Sequence, residues 1–592
     1  MNGREWQTEG ARRYRAGDLG GAIEALGLAA EAEPDEPDYL RNLAELERER
    51  GSFPAAVAWM RKAHTATFKS AKSATVARLN LLAAGWLDLG RRNEALETAA
   101  VAVRAQDNTA SRQLFAEALR RAVQAAPRHR DLAARALDEA WASADVLQGP
   151  ATALLLAAWP VGLEALAEDA LVVALLTSGP IRDLEVERRL TALRRELLFA
   201  PEDEALWPLR AGLAIQGHIN EYAWVSEPDE EAEIEALMGG EPTPDRLLKV
   251  AGYVSLGAFP NADALARRSW PAPLQGVLRQ QVEEPARQRL LGEAAATLAP
   301  VRSAVSRKVR DQYEHNPYPR WVKGVAQHSA PIQRVLQNAF PRQRIDAIPG
   351  AEAPRILVAG CGTGQHALAV AARYDGARVL AIDISRASLG YAMLRTEQMG
   401  VRNIDYGHGD ILELKAHAFD AIESVGMLPC TEDPFEGVRA LAAMLRPGGV
   451  MKLGLYSTAA RLPLQAARRL GRDYPATPGG IRAFRRRIME AAADDPVRGA
   501  IGSGDFYAAS DCRDLLLHVQ EHTHTVPDLR RMVEDNGLRL IGFVLPPEEM
   551  AHYRRANPDD PTATDWTRWA AFEAERPDTF RRMYQFWVQK GL

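Results

Sequence analysis

Ile356-Leu-Val-Ala-Gly-Cys-Gly-Thr-Gly-Gln365 is an apolar run that breaks into glycines at 360, 362 and 364, and Arg378-Val-Leu-Ala-Ile-Asp383 is a second apolar run closed by an acid. A strand-to-helix turn whose backbone N-H groups must approach a ligand needs residues without Cβ, and an acid about 20 residues later can take both hydroxyls of a ribose. A dinucleotide fingerprint would carry its third glycine at 365, where this chain has Gln. The pair of runs therefore predicts an α/β nucleotide-cofactor fold of the Gly-x-Gly-x-Gly type.

Downstream, strand-like and helix-like segments alternate. Strands are expected at 355–359, 378–382, 404–408, 420–425 and 449–456, a helix at 526–536, and two late strands at 538–545 and 583–589. Five parallel strands with crossover helices and a closing antiparallel pair give a seven-stranded, mostly parallel sheet. Two segments exceed that plan, about 458–525 and about 546–582, and insertions at such points usually lie over the substrate side of a sheet.

The stretch 355–456 resembles class I S-adenosylmethionine (SAM) methyltransferases, which have a Rossmann-like sheet. The resemblance implies that Gly360, Cys361, Gly362, Thr363, Gly364 and Gln365 form the turn beside the methionine moiety. It also implies that Asp383 and Ile384 meet the ribose, and that Asp410 and Ile411, in Gly409-Asp-Ile411, meet the adenine. Phe419-Asp-Ala-Ile-Glu-Ser-Val425 matches the fourth strand, with Ser424 at its cofactor end, and Leu445-Arg-Pro-Gly-Gly-Val450 matches the turn into the fifth. The chain also departs from the pattern. Val358 and Ala359 stand where many relatives carry an acid, and Gly426-Met-Leu-Pro-Cys430 offers only Cys430 where a polar residue or His is common. No Asn-Pro-Pro-Tyr or Asp-Pro-Pro-Tyr follows, which argues against base or amide methylation.

Just upstream, Gln312-Tyr-Glu-His-Asn-Pro-Tyr-Pro-Arg-Trp321 is the densest cluster of functional side chains. Its two prolines predict a stiff extended segment presenting Tyr313, Asn316 and Tyr318, as a lid over the cofactor or as a linker. Tyrosine rings can hold a cation or an amine, and Asn can orient a donor lone pair. His518, His522 and His524 share a face of an extended segment, but no cysteine or carboxylate pair completes a metal site, so no metal is expected. His522 is the candidate base among them.

At the other end of the chain, Gly17 and Gly51 stand 34 residues apart, each leading into a small-residue helix. That period is the one tetratricopeptide (TPR) repeats use. The first unit places Trp6, Gly10, Ala22, Leu26, Ala29 and Pro34 at the pattern's positions. The second places Leu40, Leu43, Ala44, Ala56 and Ala63. A third, offset by an insertion around Lys69-Ser-Ala-Lys-Ser73, places Leu79, Leu82, Ala83, Trp86, Gly90, Ala95 and Ala102. With the phrase Asp511-Cys-Arg-Asp-Leu-Leu-Leu-His-Val-Gln-Glu-His522, the whole resembles bacterial fusions of TPR repeats to a methyltransferase. The expected organisation is a TPR domain at 1–125, a helical extension at 126–307, a lid or linker at 308–350, and the methyltransferase domain at 351–592.

Composition is consistent with this plan. Across 592 residues the net charge is only -5, and no basic-aromatic stripe suggests a nucleic-acid partner. Three scattered cysteines suit a reducing compartment, and the most hydrophobic window, 151–176, is interrupted by Pro160, Glu164, Glu168 and Asp169, so no membrane span is expected. The N-terminus has no apolar signal core, and a cytoplasmic location is expected. The leading functional expectation is a SAM-dependent methyltransferase acting on a protein or peptide held in the TPR groove, with homo-oligomers possible. Two alternatives remain open: a small-molecule methyltransferase whose helical half serves oligomerisation, and a non-catalytic SAM-binding scaffold.

Overall fold

The computed structural model describes residues 1–592 apart from 70–73, 124, 325–328, 416–417 and 582. It forms two compact units, Met1–Ser178 and Gly179–Leu592. The boundary falls inside the stretch read as a continuous helical extension.

The first unit is helical among its described residues. Its first six helices come as hairpins: Gly3–Arg15 with Leu19–Ala32, Pro37–Glu49 with Phe53–Phe68, and Val76–Asp88 with Arg92–Ala105. The reversal within each hairpin is made by Gly17, Gly51 or Gly90, at φ 82°, 87° and 69°, a region that side chains with Cβ rarely enter. Ala22 and Ala29, Ala56 and Ala63, and Ala95 and Ala102 are buried at equivalent places in the second helices, where small side chains let the partner helix approach. Residues 70–73 of the expected insertion lie outside the described residues.

The second unit opens with helices, among them Leu184–Phe199, Trp207–Ile219 and Glu284–Ala294, and then enters an eight-stranded sheet. The strands are β1 (Ala296–Thr297), β2 (Arg355–Ala359), β3 (Arg378–Asp383), β4 (Ile404–His408), β5 (Phe419–Val425), β6 (Leu445–Leu455), β7 (Leu538–Phe543) and β8 (Tyr584–Lys590). Their order across the sheet is β1-β4-β3-β2-β5-β6-β8-β7, and β8 alone runs against the rest. The expectation of seven strands is thus corrected by one. The extra strand, β1, is two residues long and has no apolar run to announce it. It is held in register beside β4 by the Arg386 guanidinium, which gathers the carbonyls of Gly292, Glu293 and Ala295 and the Thr297 hydroxyl.

Burial on both faces explains why the central strands read as unbroken apolar runs. Ile356, Val358, Val379, Ala381 and Ala421 pack on one side, and Leu357, Ala359, Ile382 and Ile422 on the other. The two insertions behave differently. The first folds into helices that share a core with Leu184 and Ala223 of the preceding segment, fixed by the fully buried Arg485, whose Nη2 donates to both Glu187 carboxylate oxygens at 3.0 and 2.8 Å. The second packs against the sheet, its Tyr553 stacked on Trp569 at 3.6 Å, and adds to the core rather than covering the substrate side.

Candidate functional site

The turn after β2 needs its glycines. Gly360, Gly362 and Gly364 have φ of 72°, 50° and 87°. A Cβ at 360 would sit 2.4 Å from Met427, at 362 would sit 2.5 Å from the Tyr318 carbonyl oxygen, and at 364 would sit 2.6 Å from Ala392 Cβ. Gly364 caps the helix Gln365–Arg373. Asp383, at the end of β3, ties the turn down: Oδ2 accepts the Gly362 N-H at 2.7 Å and Oδ1 accepts the Ser385 N-H at 2.9 Å. Burial pushes its carboxyl up to about 6, against the pull of those amides. Asp410, just past β4, accepts the Leu412 N-H at 3.0 Å and so shapes the short turn that holds Ile411.

These residues converge on a cavity of about 270 Å³. Gly360, Cys361, Gly362, Gln365, Asp383, Ile384, Asp410 and Ile411 line it. Three other residues expected at the cofactor lie off its wall. Thr363 is buried and donates its hydroxyl to the Pro319 carbonyl at 2.6 Å, so it anchors the upstream segment. Gly364 serves helix packing. Ser424 is buried within β5.

Of the residues expected to act on the acceptor, Tyr313 and Tyr318 line the cavity. The stretch that presents them is not wholly extended, because Tyr313 belongs to the helix Ala304–His315 and only the following residues are irregular. They cross the glycine turn, with the Tyr318 carbonyl accepting the Thr363 N-H at 3.3 Å and Trp321 Nε1 donating to Thr363 at 3.1 Å. Asn316 lies off the wall, its side-chain oxygen taken by Arg513. His522 also lies off it, its ring bonded to Gln520 at 2.8 Å and its backbone N-H given to the Pro429 carbonyl at 2.8 Å. Sequence reasoning passed over Asp514 and Tyr456, both on the cavity wall. Asp514 Oδ1 accepts the Tyr313 hydroxyl at 2.6 Å, and that hydroxyl also meets His518 Nε2 at 3.0 Å. Burial raises Asp514 to about 7 and lowers His518 to about 4. Cys430 lines the cavity too, its thiol pushed well above its usual value by burial. Among the described residues no group of three or more His, Cys, Asp or Glu stands close enough to hold a metal ion.

A glycine turn open to the cavity, an acid at the end of β3 with lone pairs to spare, and a second acid past β4 fit an adenosyl cofactor. Residues 356–449 match the family model of the methyltransferase domain, and the cofactor of this domain is S-adenosyl-L-methionine. An uncharacterized protein of Synechococcus sp. is 32% identical over 213 residues, which are 32% of this chain and 48% of that one. The ubiquinone biosynthesis O-methyltransferase of Aromatoleum aromaticum is 39% identical over 108 residues, 18% of this chain and 45% of that one. Among solved structures, PKMT2 from Rickettsia typhi in complex with AdoHcy is 16% identical, covers 46% of this chain and 54% of that one, and has a TM-score of 0.34. The chain spans about half the length of the curated relatives it matches. Among the described residues no helix is long and apolar enough to cross a membrane.

Proposed function

We propose that the chain is a SAM-dependent methyltransferase whose acceptor is carried by a protein or peptide, recruited by the helical first unit acting as a TPR solenoid. The observation that carries the catalytic part is one cavity bounded by the Gly360–Gly362 turn and Asp383 together with Asp514 and its tyrosine partner. When bound, the cofactor supplies an electrophilic methyl group on a sulfonium. Asp383 keeps unshared lone pairs for ribose hydroxyls, Asp410 on the same wall would accept from the adenine amino group, and Ile384 and Ile411 offer apolar wall to the nucleoside. Tyr313 orients the Asp514 carboxylate, and Asp514 takes the acceptor's proton. The rest of the rate comes from holding the reactants in line in a site that excludes water.

The recruiting role is supported by three hairpins with buried small residues at equivalent positions, since stacked hairpins of this kind form concave surfaces suited to extended chains. The enclosed wall around Asp514 also suits a small-molecule acceptor, which is the second reading. The experiment is transfer of labelled methyl from SAM by the full chain into a lysate of the source cells lacking it. Label in macromolecules that is lost on removing residues 1–178, with S-adenosylhomocysteine affinity unchanged, supports the protein substrate. Label in the small-molecule fraction supports the second reading, and cofactor binding without transfer would leave a scaffold.

A further inference from the structure

The carboxylate of Asp514 is an unusual group to find on this wall. The residue is 6% exposed, yet among the described residues Oδ1 is its only bonded oxygen, and the one basic side chain within ion-pair distance is His518, at 3.9 Å. Burial holds that imidazole neutral, so it supplies no charge. The guanidinium that acts on this carboxylate, Arg461, is committed elsewhere: it stacks over the Tyr456 ring at 3.8 Å and pairs with Glu521 at 3.5 Å. An unpaired buried carboxylate is costly, and a cation brought by a ligand would relieve that cost.

Three tyrosines, Tyr313, Tyr318 and Tyr456, stand on the same wall, and aromatic rings attract cations in desolvated sites. Resting on the methyltransferase reading above, we infer that the acceptor is an alkyl amine that enters as its ammonium, is seated between Asp514 and these tyrosines, and gives its proton to the Asp514 carboxylate. The step balances. The R-NH3⁺ group loses one proton to Oδ2, leaving R-NH2 and a neutral carboxyl. The nitrogen lone pair then forms a bond to the methyl carbon as the carbon-sulfur bond breaks, its electron pair staying on sulfur. The product is a methylammonium beside a neutral thioether. Proximity to the sulfonium disfavours a second cation, which drives the proton onto Asp514, and a carboxyl raised by burial is suited to receive it. The other charged groups around it, Asp505 and Glu521, raise its proton affinity further, while Arg461 lowers it. A neutral alcohol or phenol would leave the carboxylate without a counter-charge.

Calorimetry on the full chain saturated with S-adenosylhomocysteine tests this, with n-butylammonium chloride and 1-butanol as probes. The expected result is an ammonium affinity at least tenfold above that of the alcohol, with the preference lost in Asp514→Asn while the affinity for S-adenosylhomocysteine stays within twofold. Equal or tighter binding of the alcohol to the wild-type chain overturns the assignment, and this comparison needs no variant that might fail to fold. A preference that survives in Asp514→Asn overturns it as well. If S-adenosylhomocysteine itself does not bind, the methyltransferase reading falls and the acceptor goes with it. If it binds and no amine preference exists, only the acceptor is wrong. Labelled transfer to cadaverine as against poly-L-lysine then separates a free amine from one borne on a polypeptide.

Discussion

His366, on the wall of the cavity, places Nε2 3.0 Å from Oε2 of Glu423, a carboxylate fully sheathed in β5. The pair is at ion-pair distance with a geometry too oblique for a hydrogen bond, while the other Glu423 oxygen accepts the Tyr374 hydroxyl at 3.0 Å. Burial alone would raise this acid, but His366 first, and then Lys452 and Arg373, hold it below its usual range. One wall of the cofactor site is therefore tied to the centre of the sheet through a charged group. Replacing Glu423 with Gln removes the buried negative charge that faces His366 and acts on the buried Lys452. The expected cost is about 1 to 3 kcal/mol in denaturant unfolding, the range for leaving a buried polar group without its partner.

Asp383→Asn keeps the shape of the side chain but turns one acceptor oxygen into a donor facing either the Gly362 amide or the ligand. Loss of hydrogen bonds to a charged acceptor predicts that affinity for S-adenosylhomocysteine falls by about 1.5 to 3 kcal/mol, read by calorimetry. An affinity within about twofold of wild type would remove Asp383 from the ribose site.

The raised carboxyl of Asp383 also sets a pH dependence. Its folded value of about 6 lies above the usual 3.8, so its contribution favours the folded apo chain below the unfolded value and is lost as pH rises through 6. Ligand binding runs the opposite way, because ribose hydroxyls donate to the ionised form. Affinity for S-adenosylhomocysteine is expected to fall as pH drops from 7 to 5, and the drop should be absent in Asp383→Asn.

Gly390, in the helix Arg386–Gln398, faces the helix Glu284–Ala294 so closely that a Cβ would lie 2.1 Å from the Gln288 carbonyl oxygen. Backbone cannot yield as a side chain can, so Gly390→Ala should force the two helices apart. A loss of about 2 to 4 kcal/mol in unfolding free energy is expected, near the upper end for overpacking.

Much of the sheet could be read from residue pattern alone. Strands β2 to β5 fall within a residue of their expected bounds, because strands buried on both faces announce themselves as short unbroken apolar runs. The position of Asp383 at the end of β3 was legible for the same reason, since it closes such a run. Asp514 was not, because nothing local marks it. What sets it apart is a distant helix that brings Tyr313 within 2.6 Å, a contact across 201 positions. Residue type alone points to His522, whereas the fold turns that ring toward Gln520 and brings His518 to the tyrosine instead. Strand β1 was illegible in another way, since its two residues carry no period and are placed by Arg386 rather than by any preference of their own.

That last arrangement bears on how the catalytic half can be cut. A chain begun after residue 300 would strip the cover from β4, leaving its outer backbone groups unpaired, and would deprive the Arg386 guanidinium of its four oxygen partners. Gly390 would lose the Gln288 backbone for which it was left bare. A truncated enzyme of that kind is expected to precipitate or to add strands from a second copy along the open edge, so soluble fragments should begin well ahead of the segment that matches the methyltransferase domain.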